Sequence, residues 1–334
     1  MCSEICQLSQ IRLSGGQFID SVVSLSNPTL FVIRPITLCS PLRIINLAIN
    51  DTYNPEICDD VELDLYFDMS NDVKIALFAK STKEGMIKIL DIKSERNKTK
   101  TNFNYNFSYV RKMKSVLSYY SCIKSKKLYK YFDKCLGSLG YFCFIGLNYE
   151  EVMKKQFFSD RLSSSGDNVL GYLRMLKTYY PKNYLSIINM TAFSYYDFVD
   201  FVFDNESVKV IKNSNDLQPV DINHLPDYFF TLLAFFSLLN SPHELLPNIL
   251  AIDYFDASLP SYVMPKVINN INKLTNNKHI ILSTFSSNTI ERFPHKNVII
   301  GEITGNSMRF YNLVDLNLNY VDEARLMNGK QVCL

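Results

Sequence analysis

The sequence predicts an α/β protein built around a parallel sheet, and two patterns support this prediction. From residue 228 onward, apolar strand-like and helical segments alternate, which is typical of parallel α/β sheets. Near the start, Thr29–Ile33 is a short run that is apolar apart from its first residue, as in a strand that is buried on both faces. With 334 residues, 47% of them hydrophobic, the chain can bury a large core.

The first hundred residues predict mainly strands. Gln10–Leu13 and Phe18–Leu25 flank Ser14-Gly15-Gly16, which is a hairpin turn signal. Val61–Met69 alternates apolar residues with acids, so we expect a strand with one polar face. The other elements predicted here are a strand at Thr29–Ile33, a helix at Pro41–Ile49, and strands at Val73–Phe78 and Met86–Ile92 that pair beside Val61–Met69.

The middle of the chain is polar and then basic. Residues 93–108 predict a loop or mobile lobe, and Tyr109–Leu136 predicts a basic helix. The elements predicted beyond it are helices at Gly166–Tyr179, broken at Pro181, at Tyr228–Asn240 and at Tyr262–Leu274, and strands at Asn248–Ile252, His279–Thr284 and Asn297–Glu302.

Composition excludes several classes of protein. The 35 basic and 33 acidic residues leave a net charge of +2, which does not favour nucleic acid or an anionic membrane. The longest apolar run, Phe229–Leu239, is far shorter than the ~20 residues of a membrane helix, and Met1–Glu4 starts no secretory signal. The eight cysteines show no Cys-x-x-Cys pair, so we expect free thiols. These features predict a cytoplasmic protein that does not bind membranes.

Two of the predicted buried strands end in polar residues. Asn248–Asp253 ends in an aspartate, and His279–Ser286 has Ser283, Thr284 and Ser286 at its tip. The carboxyl ends of parallel strands meet at one edge of a sheet, where ligand groups bind. In P-loop ATPases an aspartate at this position orients Mg²⁺, and a following glutamate polarises the attacking water.

Three further segments precede these two strands in the sequence. Thr29–Ile33 precedes a loop and a helix, Ser165–Leu170 opens a helix, and Leu225–Tyr228 precedes an apolar helix. Together with the two polar-tipped strands, they resemble the ABC-type ATPases of the RecF/SMC-like class, especially the compact AAA-family proteins found near bacterial defence genes. In that class the segment that matches Thr29–Ile33 leads into the phosphate loop, and the one that matches Ser165–Leu170 reads Gly-x-Asn-Leu. The segment that matches Leu225–Tyr228 is the Leu-Ser-Asp-Gly signature.

The resemblance covers nearly the whole chain and implies its architecture. It implies a P-loop NTPase (ABC ATPase-like) fold with a mixed β-sheet lobe and an inserted helical lobe. We therefore expect a single domain over residues 1–334, with the basic helical lobe inserted at residues 93–160. In the resembled class, this region is an arm between two halves of the ATPase core, where partners dock.

The positions that carry chemistry in that class have changed here. The phosphate loop needs Gly-x-x-x-x-Gly-Lys-Ser/Thr, whereas Arg34–Pro41 has no glycine, no lysine and two prolines. Tyr254 replaces the catalytic glutamate and, with an ordinary pKa of ~10, is no base near neutral pH. Phe285 replaces the switch histidine, and Pro226 and Tyr228 replace signature residues.

The resemblance therefore implies a degenerate nucleotide pocket with no catalytic residue, no metal and no resident cofactor. Asp253 is retained, along with Asp227 and Ser286. We expect Arg34–Pro41 to close over the old pocket, with Ile36 and Leu38 filling it. The pocket residues are expected to be Arg34, Ser40, Asp227, Asp253, Tyr254 and Phe285.

The expected function is that of a non-catalytic pseudo-ATPase subunit, a scaffold or regulator. Its partner would be an ATPase-type subunit, an effector subunit or a second copy of the chain, bound through the surface that relatives use for dimerisation. A role in antiphage defence follows from the resemblance alone. Two alternatives stay open. One is a divergent but active NTPase that uses ATP and Mg²⁺, and the other is a nucleic-acid-binding module.

The segment Arg111–Lys134 carries the nucleic-acid alternative. Its basic residues are interspersed with tyrosines. This combination can bind single-stranded nucleic acid, bind a protein partner or form a solvated helix face. The contact candidates are Arg111, Lys112, Lys114, Lys124, Lys126, Lys127 and Lys130.

Other motifs support no site. Leu13–Gln17 spells the signature pentapeptide of ABC transporters, but it lies ahead of the phosphate-loop position between two predicted strands, where Gly-Gly is ordinary turn chemistry. Glu62, Asp64 and Asp68 alternate with apolar residues and are expected to form an exposed strand face. The four histidines have no metal-binding spacing.

Overall fold

The computed structural model describes twelve stretches of the chain, and expectations on other residues are untested. Among these are the helices at Pro41–Ile49 and Tyr109–Leu136. The described stretches are residues 6–13, 18–19, 29–34, 62–69, 73–81, 87–95, 139–204, 207–213, 218–274, 278–284, 286–304 and 307–316.

The chain folds as two compact units. The first contains Met1–Tyr141, Pro247–Asp253 and Thr275–Leu334, and the second contains Phe142–Leu246 and Tyr254–Leu274. The chain thus leaves the first unit and returns to it twice, and one of the crossing points is the peptide between Asp253 and Tyr254.

A six-stranded sheet organises the first unit, with the strand order β14-β13-β3-β12-β11-β7. Strands β13, β3, β12 and β11 are parallel to one another, and β14 is antiparallel to β13. This confirms the predicted parallel sheet. Its strands are β3 (Thr29–Arg34), β7 (Leu139–Cys143), β11 (Ile249–Asp253), β12 (His279–Thr284), β13 (Val298–Thr304) and β14 (Ser307–Asn312).

The order of these strands determines which strand ends lie side by side. Although β3 comes first in sequence, it lies between β13 and β12, and β12 lies between β3 and β11. The carboxyl ends of β3, β11 and β12 therefore meet at one edge of the sheet, at Arg34, Asp253 and Thr284. Both β11 and β12 are buried along their whole length, which explains their apolar sequences.

The first unit also has an antiparallel sheet, with the strand order β2-β1-β4-β5-β6. The predicted hairpin is present, since Ile11 of β1 pairs with Ile19 of β2. Strand β5 pairs with β4 as expected, whereas β6 pairs with β5, and the other neighbour of β4 is β1. The strands are β1 (Cys6–Leu13), β2 (Phe18–Ile19), β4 (Glu62–Met69), β5 (Val73–Ser81) and β6 (Ile87–Glu95).

The second unit is mainly helical. Helix α4 lies in its core, because all residues from Phe229 to Leu239 are buried, and the longest apolar run of the sequence is thus a core helix. Pro181 occupies the first turn of α3, which explains the break after α2. The helices are α1 (Tyr149–Lys154), α2 (Val169–Tyr179), α3 (Pro181–Ser194), α4 (Asp227–Leu239) and α5 (Met264–Leu274).

A small antiparallel sheet completes the second unit, with the order β10-β9-β8. Its strands are β8 (Phe198–Phe203), β9 (Val208–Lys212) and β10 (Pro219–Asp221). A short helix of the first unit, α6, spans Ser287–Ile290. Among the described helices, none has the combination of length and hydropathy that a transmembrane span requires.

The inserted helical lobe at residues 93–160 stays a prediction. Its first residues end β6, its last part contains β7 and α1, and residues 96–138 lie outside the described stretches.

Candidate functional site

Asp253 forms the centre of the candidate site, at the carboxyl end of β11. Its side chain is buried, with 1% of the residue exposed. The pairing of Ile252 with Leu282 brings Asp253 alongside Ser283 of β12. The Ser283 hydroxyl donates a hydrogen bond to Asp253 Oδ1, and the Tyr141 hydroxyl donates one to Asp253 Oδ2 at 2.9 Å.

The sheet explains why these three side chains meet. Strand β11 lies between β12 and β7, so that one neighbouring strand supplies Ser283 and the other supplies Tyr141. A buried carboxylate is costly unless it accepts hydrogen bonds, and here each of its oxygens accepts at least one. The triad of Tyr141, Asp253 and Ser283 is thus a pre-formed hydrogen-bonded cluster at the edge where ligands bind in α/β proteins.

Tyr254 follows directly and has an unusual backbone. Its φ is 49°, in the left-handed region that bulky residues rarely adopt, and only 2% of the residue is exposed. The backbone then turns, because the Ala257 N–H donates to the Tyr254 carbonyl oxygen at 3.1 Å. Such backbone strain costs about 1–3 kcal/mol and is concentrated at functional sites.

A hydrogen bond from the backbone lies just beyond the end of β12. The backbone N–H of Ser286 donates to the Thr284 side-chain hydroxyl at 2.8 Å. Sequence reasoning named Ser286 as a retained position, but the residue of this strand that contacts Asp253 is Ser283. Tyr141 was not anticipated at all.

The remaining predicted site residues are placed as follows. Arg34 is the last residue of β3, and in the strand register its backbone lies opposite that of Glu302 in β13. Asp227 is the exposed first residue of α4 and belongs to the second unit. Ser40, Phe285 and the basic candidates between Arg111 and Lys130 lie outside the described stretches, as does the loop expected to close the pocket.

Tyr228, at the expected signature glycine position, lies among aromatic side chains. Its ring centre is 6.2 Å from that of Tyr195. The pKa of Tyr228 is raised to about 12, mainly by burial and to a smaller extent by a hydrogen bond with Tyr262. Its phenol is therefore neutral at physiological pH.

The hydroxyl protons of Tyr141 and Ser283 are already donated to Asp253, so the triad offers a ligand only hydrogen-bond acceptors, and it contains no group with an ordinary pKa near neutrality. The residues described by the structure contain no cluster of three or more His, Cys, Asp or Glu side chains that could hold a metal ion.

Sequence comparison finds no protein-family model and no curated protein that matches the chain. Solved structures do match. An SMC head bound to the C-winged helix domain of ScpA aligns with a TM-score of 0.54 at 9% identity, over 91% of this chain and 97% of that one.

Two other SMC heads align over similar lengths. The head domain from Thermotoga maritima gives a TM-score of 0.46 at 11% identity, covering 92% of this chain and 98% of that one. The head from Pyrococcus furiosus with an extended coiled coil, bound to the C-terminal domain of ScpA, gives 0.45 at 8% identity, covering 93% and 98%.

The chain therefore has the fold of an SMC head, which is an ABC ATPase-like P-loop fold. This confirms the ABC ATPase-like fold that the sequence resemblance implied, whereas the inserted helical lobe stays a prediction. At 9% identity the likeness shows the fold alone, so the roles of individual residues stay predictions.

Proposed function

We propose that this protein is a non-catalytic subunit with an ABC-type ATPase fold, which acts as a scaffold or regulator by binding a protein partner. The observation that carries the proposal is the composition of the edge at Asp253. The carboxylate is buried between two hydroxyl donors of its own chain, and a buried tyrosine follows it.

These residues do not fit hydrolysis of Mg²⁺-bound ATP. Both oxygens of Asp253 already accept hydrogen bonds from Tyr141 and Ser283, which compete with water ligands of a metal. The Tyr254 phenol cannot take a proton from water near neutral pH. The sequence Arg34–Pro41 offers neither the glycines nor the lysine that hold phosphates.

The fold itself supports a partner-binding role. An SMC head with this fold has been solved bound to the C-winged helix domain of ScpA. A protein surface can be retained after the chemistry is lost, because fold and catalysis are separable. An ATPase-type subunit, an effector subunit or a second copy each fits this proposal, and the role in antiphage defence rests on the sequence resemblance alone.

The proposal is tested by steady-state ATP hydrolysis. The purified chain is compared with Asp253→Asn, which keeps the shape of the side chain and removes its charge. We expect no phosphate release above the buffer rate for either protein. Turnover by the native chain that Asp253→Asn abolishes would instead establish a divergent but active NTPase.

A further inference from the structure

Three exposed aromatic side chains of the second unit are neighbours, two of them through a ring contact and the third through the adjacent position in sequence. Phe157 and Phe158 lie in the loop between α1 and α2 and are 65% and 56% exposed, and Tyr179 at the end of α2 is 65% exposed. The rings of Phe158 and Tyr179 meet edge to face, with their centres 6.0 Å apart. We call these three residues the aromatic knob. Its three members together expose roughly 300–450 Å² of aromatic side chain, which is comparable to the largest apolar patch of a typical monomer, and such patches are often functional.

The loop that carries the knob is held in place by Asn168. The Asn168 side chain accepts a hydrogen bond from the Ser163 N–H and donates to the Ser159 hydroxyl and to the Arg161 carbonyl oxygen, each at 2.8 Å. Asn168 belongs to the segment Ser165–Leu170 that the sequence resemblance singled out. One side chain thus ties together three points of the loop.

Asp167 adds a second set of bonds to the same loop. Its carboxylate accepts a hydrogen bond from the Lys155 ammonium at 2.5 Å and one from the Ser163 hydroxyl at 2.7 Å. Burial acts to raise the pKa of Asp167, but these hydrogen bonds outweigh it and hold the pKa below its ordinary value. The carboxylate is therefore charged, and it anchors the start of the loop.

The loop backbone also packs directly on α2 at Gly171. A Cβ atom at this position would lie 1.7 Å from the Phe157 carbonyl oxygen, so any larger residue would displace the loop. The Ser159 N–H donates to the Gly171 carbonyl oxygen at 3.2 Å. A loop fixed in this way loses little conformational entropy on binding, which favours affinity.

The exposed charged residues that flank the knob in sequence are mainly positive. Lys154, Arg161 and Lys182 are exposed within three residues of a knob member in sequence, and Asp160 is the neighbouring acid. Within the part of the chain that the structure describes, these three cations form no ion pair.

We propose that the aromatic knob and its flanking cations bind a short acidic segment of a partner protein, whose apolar side chains pack on Phe157 and Phe158. The patch is about half of the ~800 Å² that each partner buries in a stable globular interface, which favours a short segment. Its positive surroundings disfavour a second copy of the same surface. This inference rests on the proposed partner-binding function and names the chemistry of the partner.

The test measures binding by fluorescence anisotropy with the full chain. The probe is a labelled peptide of Asp-Leu-Asp-Phe repeats, and the matched control peptide has Asn in place of Asp. We expect the acidic peptide to bind at least about tenfold more tightly than the control peptide, because the flanking cations contribute. Labelled oligo-dT is a third probe and tests for a nucleic-acid surface.

Variants then locate the surface. Phe157→Ser combined with Phe158→Ser should weaken binding of the acidic peptide at least about tenfold. Phe193→Ser removes a ring that is 76% exposed on α3 and should leave binding unchanged. Gly171→Ala keeps both phenylalanines and displaces the loop, so it should also weaken binding.

Several results would overturn the proposal. The first is that the acidic peptide does not bind at about 1 mM protein, and the second is that the acidic and control peptides bind equally well. The third is that the double variant binds the acidic peptide as tightly as the native chain does. The fourth is that oligo-dT binds more tightly than the acidic peptide and depends on the same phenylalanines. These results are independent of ATP hydrolysis, so failure of the knob proposal and failure of the non-catalytic proposal can be told apart.

Discussion

Replacing three glycines of the second unit by alanine distinguishes two effects on stability, namely backbone strain and steric clash of the added methyl group. Gly146 has a φ of 77° and no atom within 4 Å of the place a Cβ would take, so Gly146→Ala adds backbone strain alone. Gly171 lies inside α2, where a Cβ atom would be 1.7 Å from the Phe157 carbonyl oxygen, so Gly171→Ala adds a clash alone. Gly166 has a φ of 75° and its Cβ would lie 2.8 Å from Phe144 Cδ1, so Gly166→Ala adds both.

The magnitudes follow from these differences. Gly146→Ala should cost about 1–2 kcal/mol for the left-handed backbone, partly offset by about 0.4–1 kcal/mol from a less flexible unfolded chain. Gly171→Ala should gain about 1 kcal/mol of helix propensity, but displacing the loop costs about 1–3 kcal/mol for overpacking and about 1 kcal/mol for each hydrogen bond lost. We therefore expect Gly171→Ala to destabilise the protein by about 1–3 kcal/mol. Gly166→Ala should cost more than Gly146→Ala, because close contacts are added to the same backbone strain.

The assay is urea unfolding followed by far-UV circular dichroism, with midpoints compared at constant m-value. Asn189→Ala is the control for helix propensity, because Asn189 is an exposed residue within α3. It should be neutral or slightly stabilising. The packing argument is refuted if Gly171→Ala stabilises the protein as Asn189→Ala does, or if Gly146→Ala costs as much as Gly166→Ala.

Two further predictions concern the first unit. Tyr141→Phe and Ser283→Ala should each lower the free energy of unfolding by about 1–3 kcal/mol, because each removes a donor from the buried Asp253 carboxylate. In a double-mutant cycle their effects should not add, and simple additivity would contradict a shared cluster. Burial lowers the pKa of His279 from its ordinary 6.5, so the unfolded chain binds more protons and stability falls as the pH drops below about 6.5. His279→Gln should flatten this slope in unfolding curves at a series of pH values, and an unchanged slope would show that other groups cause it.

The fold was predictable from sequence where the pattern is local. The wholly buried strands β11 and β12 have runs of apolar residues that end in polar ones, and the buried helix α4 has a continuous apolar run. Asp253 was predictable because parallel strands place their carboxyl ends at one edge. Even the break between α2 and α3 is marked in the sequence, by Pro181.

The partners of Asp253 were not predictable, because they depend on contacts that are distant in sequence. Tyr141 lies 112 residues from Asp253, and β7, which carries it, has the unremarkable sequence Leu-Gly-Tyr-Phe-Cys. A tyrosine in a short apolar run was the one signal that a polar contact had to be found there. Ser283 and Ser286 are both serines at the end of one strand, and only the strand register shows which of them meets Asp253.

The loop that carries the aromatic knob could be predicted only in part. The segment Ser165–Leu170 was recognised by resemblance, but the three contacts of Asn168 depend on the folded shape of the loop. The role of Gly171 was equally hidden, because a glycine within a helix pattern does not show what packs against it.

The central claim is that the edge at Asp253 is no longer a working nucleotide site, and calorimetric titration of the purified chain with ATP and Mg²⁺ tests it most directly. Asp253→Ala is the control, since it removes the retained carboxylate. The account predicts only heats of dilution for both proteins at millimolar ATP. Heat of binding in the native chain that disappears in Asp253→Ala would contradict it.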